Sequence, residues 1–290
     1  MEYSVIIPVK NNPGQLSRCL DSIPERDDIE VLVCDDCSSE EQINQIKTLC
    51  DKRSQTRLFE SDSSRGAGYA RNVGISNSKG DWLIFSDSDD FFDKDFWNKI
   101  DNIINQTDSD IVYFLVQGVY SDNLKPAERG TNYRNQVEGF VDGKKNGEER
   151  LRFYHMVPWG KVFRRSFIED KQIRFDEIRA SNDVMFNIKA GSLAKTIEAH
   201  KIIMYYVTVS SNSLTKKKDK ELLRCRFDVL IRHYKYVKSL GKPQCAYNIF
   251  KYAVRYSKPY GLGEFMYYIK KMIQNRVNPF VVLHKVGRYD

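Results

Sequence analysis

The chain has no apolar run approaching the roughly 18 to 20 residues that a helix needs to cross a bilayer. Residues 1 to 9 lack the profile of a secretory signal and run straight into a strand pattern, so a cytoplasmic location is expected. The six cysteines offer no framework either. Cys34-Asp35-Asp36-Cys37 has the spacing of half a zinc site, but no second close pair follows, and reduced thiols are the expectation. Internal repeats and low-complexity tracts are missing, as are helix-turn-helix, RRM and zinc patterns, and nucleic acid is not expected as a partner.

What is present is the composition of a soluble globular protein: 290 residues, 41% hydrophobic and 29% charged. That length suits one large domain or two small ones. The net charge of +7 is unevenly spread. Residues 216 to 290 hold 18 Lys/Arg against 5 Asp/Glu, a net +13, which leaves −6 on residues 1 to 215. A basic, tyrosine-rich region on an acidic body favours an anionic partner, here an anionic membrane surface, with a merely solvated helical face as the plainer alternative.

The stretch that organises the rest is Trp82 to Asp90. Trp82-Leu-Ile-Phe85, entered through Lys79-Gly80-Asp81, reads as a buried strand. Asp87, Asp89 and Asp90 then sit at its C-terminal edge, where open α/β sheets bind ligands. Carboxylates that close repel one another unless a cation or solvent lies among them, and oxygen ligands of this kind suit Mg²⁺ or Mn²⁺. The alternative is a solvated acidic turn capping a helix that starts near Lys94.

In order, Ser4 to Pro8 reads as a strand stopped by Pro8, followed by a helix with Leu16, Cys19, Leu20 and Ile23 buried. Glu30 to Cys34 is the second strand, and Ser38-Ser39-Glu40-Glu41 opens a helix carrying Ile43, Ile46 and Leu49. A weaker strand lies near Arg57 to Phe59, and a helix follows from about Tyr69 to Ser76. Strands alternating with helices predict a mostly parallel sheet with the strand ends on one rim, so that Asp35, Asp36, Arg71, Asp87 and Asp89 share a crevice. A helix to about Asn105 and a strand at Ile111 to Val116 come next. Residues 117 to 150 read as a long mobile excursion with little core, bordering the acceptor site. Asn182-Asp183 open a helix, Ile202 to Val207 is a strand, Ser210 to Thr215 a polar loop, and residues 219 to 290 two or three helices.

Val5-Ile-Ile-Pro8 with Asn11, Val33 to Ser38, Gly68 to Ile75, Gly80 to Asp90, Trp159-Gly-Lys161 and Asn182-Asp183 together resemble the family 2 glycosyltransferases of the GT-A fold. The likeness covers most of residues 3 to 215, with the blocks in the family's order and spacing. It implies an α/β, Rossmann-like GT-A sheet with flanking helices and a helical C-terminal extension. Residues 1–105 would be the nucleotide-sugar-binding half, 106–215 the acceptor-binding half, and 216–290 the basic helical region. It also implies an inverting, metal-dependent transferase that moves a sugar from a UDP-linked donor to a glycan or lipid-linked acceptor in bacterial surface polysaccharide assembly, peripheral at the inner membrane face.

By the same resemblance Asp183 is the catalytic base. Pro8, Asn11, Asp36, Arg71, Asp87, Ser88 and Lys161 contact the donor, and Asp87 and Asp89 hold Mn²⁺ or Mg²⁺. The chain departs from the family at Lys10, where tyrosine is common, at Cys37, a frequent glycine, and at Asn182, where glutamate usually precedes the base. Tyr205 to Thr208 lacks an arginine often found there. Plainer alternatives stand beside each role. Asp36 and Asp183 could be helix caps, Arg71 and Lys161 surface cations, and Trp159 core, while His155 and His200 remain unassigned candidates for a third metal ligand. Rival functions are a decayed nucleotide-sugar-binding module and a phosphohydrolase using Asp87 and Asp89, although haloacid-dehalogenase phosphatases place that motif near the N-terminus.

Overall fold

The protein is described here by a computed structural model over residues 1–209 and 219–278. The first half alternates strands and helices: β1 (Tyr3–Val9), α1 (Pro13–Asp21), β2 (Ile29–Asp35), α2 (Glu40–Asp51), β3 (Thr56–Phe59), α3 (Ala67–Asn77) and β4 (Trp82–Phe85). After β5 (Phe91–Phe92) and α4 (Lys94–Ile104) come β6 (Ile111–Tyr120), β7 (Pro126–Ala127), α5 (Thr131–Val141) and α6 (Gly147–Tyr154). Then follow β8 (Lys161–Arg164), α7 (Arg165–Asp170), α8 (Val184–Leu193), β9 (Ile197–Val209), α9 (Lys220–Ser239), α10 (Ile249–Ser257) and α11 (Leu262–Gln274).

The strands form one nine-stranded sheet in the order β3-β2-β1-β4-β8-β6-β9-β5, with β7 on β6. β3, β2, β1 and β4 are mutually parallel, as is the long β6–β9 ladder, and parallel ladders hold most of the paired positions. β8 is inserted antiparallel between β4 and β6. The chain leaves β1 on one side for β2 and β3 and returns on the other for β4, which makes the β1–β4 junction the switch point where such sheets open a crevice.

Side chains alternate across this sheet as strand geometry requires. Tyr3, Val5, Ile7 and Val9 pack toward α1, α2 and α4, while Ile6, Leu32, Leu83 and Phe85 pack toward α3, α7 and α8. On the second face Phe85, Phe163, Phe175 and Phe186 form an aromatic cluster, with Phe175 and Phe186 stacked at 3.9 Å between centroids. A third core joins Phe153, Met185 and Ile188 to Phe227, Ile231, Tyr268 and Met272, so the C-terminal helices dock on α6 and α8.

Three expectations are corrected. Pro8 does not end the first strand: it pairs with Cys34 in register, and its missing N–H lies on the β4 side, beyond the last paired position, Ile6 opposite Phe85. Residues 117–150 are no coreless excursion. They extend β6, add β7 and form α5 and α6, whose Val137 and Leu151 are fully buried on the second face. Their polar residues mask a narrow apolar stripe, which is why composition misled. β5 lay unseen because two aromatic residues become a strand only by pairing with Tyr205 and Tyr206. The loop expected at Ser210 to Thr215 lies outside the described residues.

Replacing Phe186 with alanine removes a fully buried ring from the aromatic cluster. The expected cost is about 3–5 kcal/mol, read from the urea midpoint at constant slope. A loss below about 1 kcal/mol would show that the cluster carries little of the stability.

Candidate active site

A cavity of about 890 Å³ opens over the switch point. One wall comes from the strand ends and the α3 start: Pro8, Lys10, Asp36, Ala67, Arg71 and Asp87. The other comes from the second half of the chain, with Asn182, Asp183, Leu222, Arg226 and Tyr256 on it. Its volume lies in the upper part of the range of small-molecule sites.

Asp36 does not cap α2. Its carboxylate accepts the backbone N–H of Arg65 and of Gly66, each at 2.7 Å, and the Ser64 hydroxyl at 2.9 Å, with Lys10 Nζ at 3.6 Å. It therefore ties the β3–α3 loop to the end of β2. The neighbouring turn is held by Asp35, which binds Ser38, and by Asn11, whose side-chain oxygen accepts the Ser39 N–H at 2.8 Å. Cys37, at the position of a frequent glycine, has φ +60°, a left-handed conformation that glycine adopts without Cβ strain.

α3 carries the central group. Arg71 is buried and donates to Asp87 at 2.5 Å and to the Asn182 side-chain oxygen at 3.1 Å. Its guanidinium also lies 5.3 Å from the Phe175 ring centroid. Two neighbours on α3 make this reach possible. Gly68 lets the helix approach the 176–182 loop, since a Cβ there would sit 2.0 Å from the Asp176 carbonyl oxygen. Asn72 exchanges both its amide groups with the backbone of Phe175. The loop is closed by the Asp176 N–H on the Asn182 carbonyl at 3.1 Å.

Asp183 occupies the N-cap of α8, yet its side chain makes no capping hydrogen bond. The carboxylate is left on the cavity wall. Burial pushes its pKa up, with Arg71 opposing the shift.

Beside the cavity, carboxylate oxygens of Asp87, Asp89 and Asp90 all lie within 4.8 Å of one another. Burial, followed by Asp87, raises the pKa of Asp89; burial, followed by Asp89 and Asp87, raises that of Asp90 further. Asp90 is fully buried, and its Oδ2 has no hydrogen-bond partner. Three converging carboxylates, one with an orphaned buried oxygen, are a donor set that fits a hard divalent cation. β9 supports this turn: Thr208 donates its N–H to Asp90 at 2.7 Å and its hydroxyl to the Asp89 carbonyl at 2.8 Å. The Tyr205 hydroxyl accepts the Asp87 N–H at 2.7 Å. The segment that lacks an arginine thus holds the acidic turn in shape.

Of the expected site residues, Pro8, Asp36, Arg71, Asp87 and Asp183 line one cavity. Asp89 reaches it only through the carboxylate cluster, and Ser88 between them does not line it. Asn11 and Lys161 are not brought to the cavity wall. Asn11 is exposed and braces the β2–α2 turn. Lys161 is buried beneath α8, where its Nζ donates at 2.7 Å to the His155 carbonyl and to Asn187 Oδ1, because β8 runs inside the sheet. Burial drives its pKa well below the usual lysine range. Trp159 is core, stacked on Tyr205, and neither His155 nor His200 belongs to the carboxylate cluster. Missed in the sequence were Asn182 as the partner of Arg71, and Arg226 and Tyr256, because they reach the strand ends from more than 100 residues away.

The sequence model described as glycosyl transferase family 2 matches residues 4–170, more than half of the chain. The chain belongs to glycosyl transferase family 2. A curated member, the poly(ribitol-phosphate) β-N-acetylglucosaminyltransferase TarS of Staphylococcus aureus, is 25% identical over 215 residues, covering 71% of this chain and 35% of its own length. The chain thus spans about a third of that relative. The crystal structure of S. aureus TarS 1–349 with UDP-GlcNAc superimposes with a TM-score of 0.72 at 19% identity, over 96% of this chain and 83% of that one. The mannosyltransferase PcManGT of Pyrobaculum calidifontis, in complex with GDP-Man and Mn²⁺, gives 0.59 at 16% identity over 94% and 75%. These likenesses show that the family member described here has the GT-A fold.

Arg71 links the two walls, so its loss should be felt in folding as well as in the site. Arg71→Met is expected to destabilise by roughly 1–3 kcal/mol, since Asp87 is only partly buried. Asn182→Ala should cost about 1 kcal/mol. A double-mutant cycle between Arg71 and Asp87 should return a coupling of about 0.5–3 kcal/mol in thermal unfolding; strict additivity would mean the bridge is not an energetic link.

Proposed function

We propose that this chain is an inverting glycosyltransferase that moves a sugar from a nucleotide donor, UDP-linked, to a glycan or lipid-linked acceptor in bacterial surface polysaccharide assembly. The observation that carries this reading is the uncapped Asp183 carboxylate, which shares one cavity with Asp36, Arg71 and Asp87. The complexes of TarS with UDP-GlcNAc and of PcManGT with GDP-Man and Mn²⁺ support the donor class and a metal.

In this mechanism Pro8 and Asp36 flank the nucleoside, and Arg71 places its charge beside the diphosphate while holding Asp87 in place. Asp183 accepts the proton of the acceptor hydroxyl as it attacks, and a single displacement from the face opposite the leaving group inverts the anomeric centre. Its raised pKa makes it a better proton acceptor than an ordinary carboxylate. A divalent cation held by Asp87 and Asp89, with Asp90 behind them, would stabilise negative charge on the departing diphosphate.

Asp183→Asn should lower transfer by about 10²–10⁴-fold while nucleotide binding persists. Because Asp183 must be ionised to work, activity should fall as pH drops through its pKa, and that fall should lie above the ordinary carboxylate range. UDP release from a panel of nucleotide sugars with Mn²⁺, with and without chelator, measures both. Phosphate release from sugar phosphates, or an Asp183→Asn variant as active as the parent, would overturn the assignment.

We further propose that the C-terminal helices rest on an anionic membrane surface. Leu262, Met266 and Ile273 project from α11 with exposures of 75%, 55% and 63%, and Phe250 and Val254 are exposed on α10. Exposed Lys251, Arg255 and Lys270 lie on these two helices, and exposed Lys258 follows the first, a combination suited to anionic headgroups. Among the described residues no helix is long and apolar enough to cross the membrane. The protein should sediment with phosphatidylglycerol vesicles at low salt and much less with phosphatidylcholine, and Leu262→Asp with Met266→Asp should abolish the difference. Equal recovery with both lipids would refute the contact.

A further inference from the structure

Among the described residues the cations of the cavity are matched, with one exception. Lys10 lies 3.6 Å from Asp36, Arg71 donates to Asp87 at 2.5 Å, and Arg179 lies 3.6 Å from Asp219. Arg226 also lines the cavity, and among the described residues it has neither an ion pair nor a hydrogen bond. Its neighbours on α9 behave differently. Arg224 pairs with Glu264 at 2.8 Å and Glu221 at 3.1 Å, and Arg232 grips both oxygens of Asp176 at 2.9 and 2.8 Å. Residues 224 and 226 fall on different sides of the helix, so among the described residues the carboxylates pair with Arg224 on one side and leave Arg226 on the other unmatched.

Beside it is Tyr256 of α10, half-buried, its ring edge-on to Tyr252 and Tyr268, and it too lines the cavity. Leu222 is on the same wall, one α9 turn before Arg226. An open cation next to an aromatic face and an apolar side chain is a recognition surface for a sugar bearing a negative charge: the ring lies on the aromatic face, and a planar guanidinium takes two oxygens of one oxyanion. These residues line the same cavity as Asp183, the proposed base, and like it come from the second half of the chain.

We propose that Arg226, with Tyr256 and Leu222, forms an acceptor subsite for an anionic group, a phosphate or a carboxylate, carried by the unit next to the hydroxyl being glycosylated. The assignment rests on the transfer reading above and deepens it from the acceptor side. It gives the C-terminal helices a part in substrate choice in addition to their packing role.

The test compares three acceptors with the full chain, Mn²⁺ and the donor that the panel identifies: a ribitol-phosphate oligomer, a glucuronate-terminated disaccharide and the uncharged disaccharide. The parent should prefer a charged acceptor, and which one separates phosphate from carboxylate. Arg226→Gln should raise the KM of that acceptor tenfold or more, with the donor KM moving less than twofold, and Arg226→Lys should recover part of the loss. A parent that prefers the uncharged acceptor overturns the subsite. So does an Arg226→Gln variant whose effect falls on the donor KM, which would place the arginine on the donor diphosphate. Calorimetric titration with the two charged compounds alone, without donor, keeps the subsite testable if no transfer is found: binding by the parent that weakens tenfold in Arg226→Gln supports it, and absence of binding by the parent refutes it.

Discussion

A single buried guanidinium holds the site together. Arg71 leaves α3, lies over Phe175 and ends between Asp87, at the tip of β4, and Asn182, one residue before the proposed base. A buried arginine without a partner is costly, and Arg71 meets that cost with Asp87 in its own half of the chain and Asn182 in the other. The constraint explains its neighbours. Gly68 allows the approach, Asn72 fixes the partner loop, and Asp183 is carried to the cavity as the next residue along that loop.

Asn182 changes the balance of charge at this bridge. A glutamate there would give Arg71 two carboxylates to satisfy; the amide supplies only a neutral oxygen. The positive charge of Arg71 is then shared between Asp87 and Asp183, and the packing around Asp183 still keeps its proton affinity above normal. On the other side of Asp87, three carboxylates are pressed together by the pairing of the acidic turn with β9 through Tyr205 and Thr208. Their crowding raises the proton affinity of Asp89 and Asp90 along with burial, and Asp90 Oδ2 is left without a hydrogen-bond partner among the described residues.

The C-terminal helices are more than a charged tail. Their apolar side completes a core with α6 and α8, and α8 is the helix that presents Asp183. The same packing brings Leu222, Arg226 and Tyr256 to the cavity and turns the exposed apolar stripe of α10 and α11 outward. One docking event therefore shapes both the proposed acceptor subsite and the proposed membrane face.

Much was legible beforehand, for local reasons. Alternation of β-branched runs with amphipathic stretches gave the parallel half of the sheet, and acidic residues immediately after β2 and β4 had to fall on one rim because right-handed crossovers leave no other choice. Family spacing then singled out Arg71 and Asp183, and both line the cavity. Lys161 and Asn11 went astray because a motif position does not reveal depth: one lies inside the sheet, the other on an outer turn. Residues 117–150 misled because two short helices with narrow apolar stripes look like loop in composition. The sequence by itself determined periodicity, turn chemistry and the order of the blocks, all set by neighbours a few residues apart. Only the tertiary structure decided which charges are matched across more than 100 positions, because burial and pairing depend on what the packed helices bring alongside.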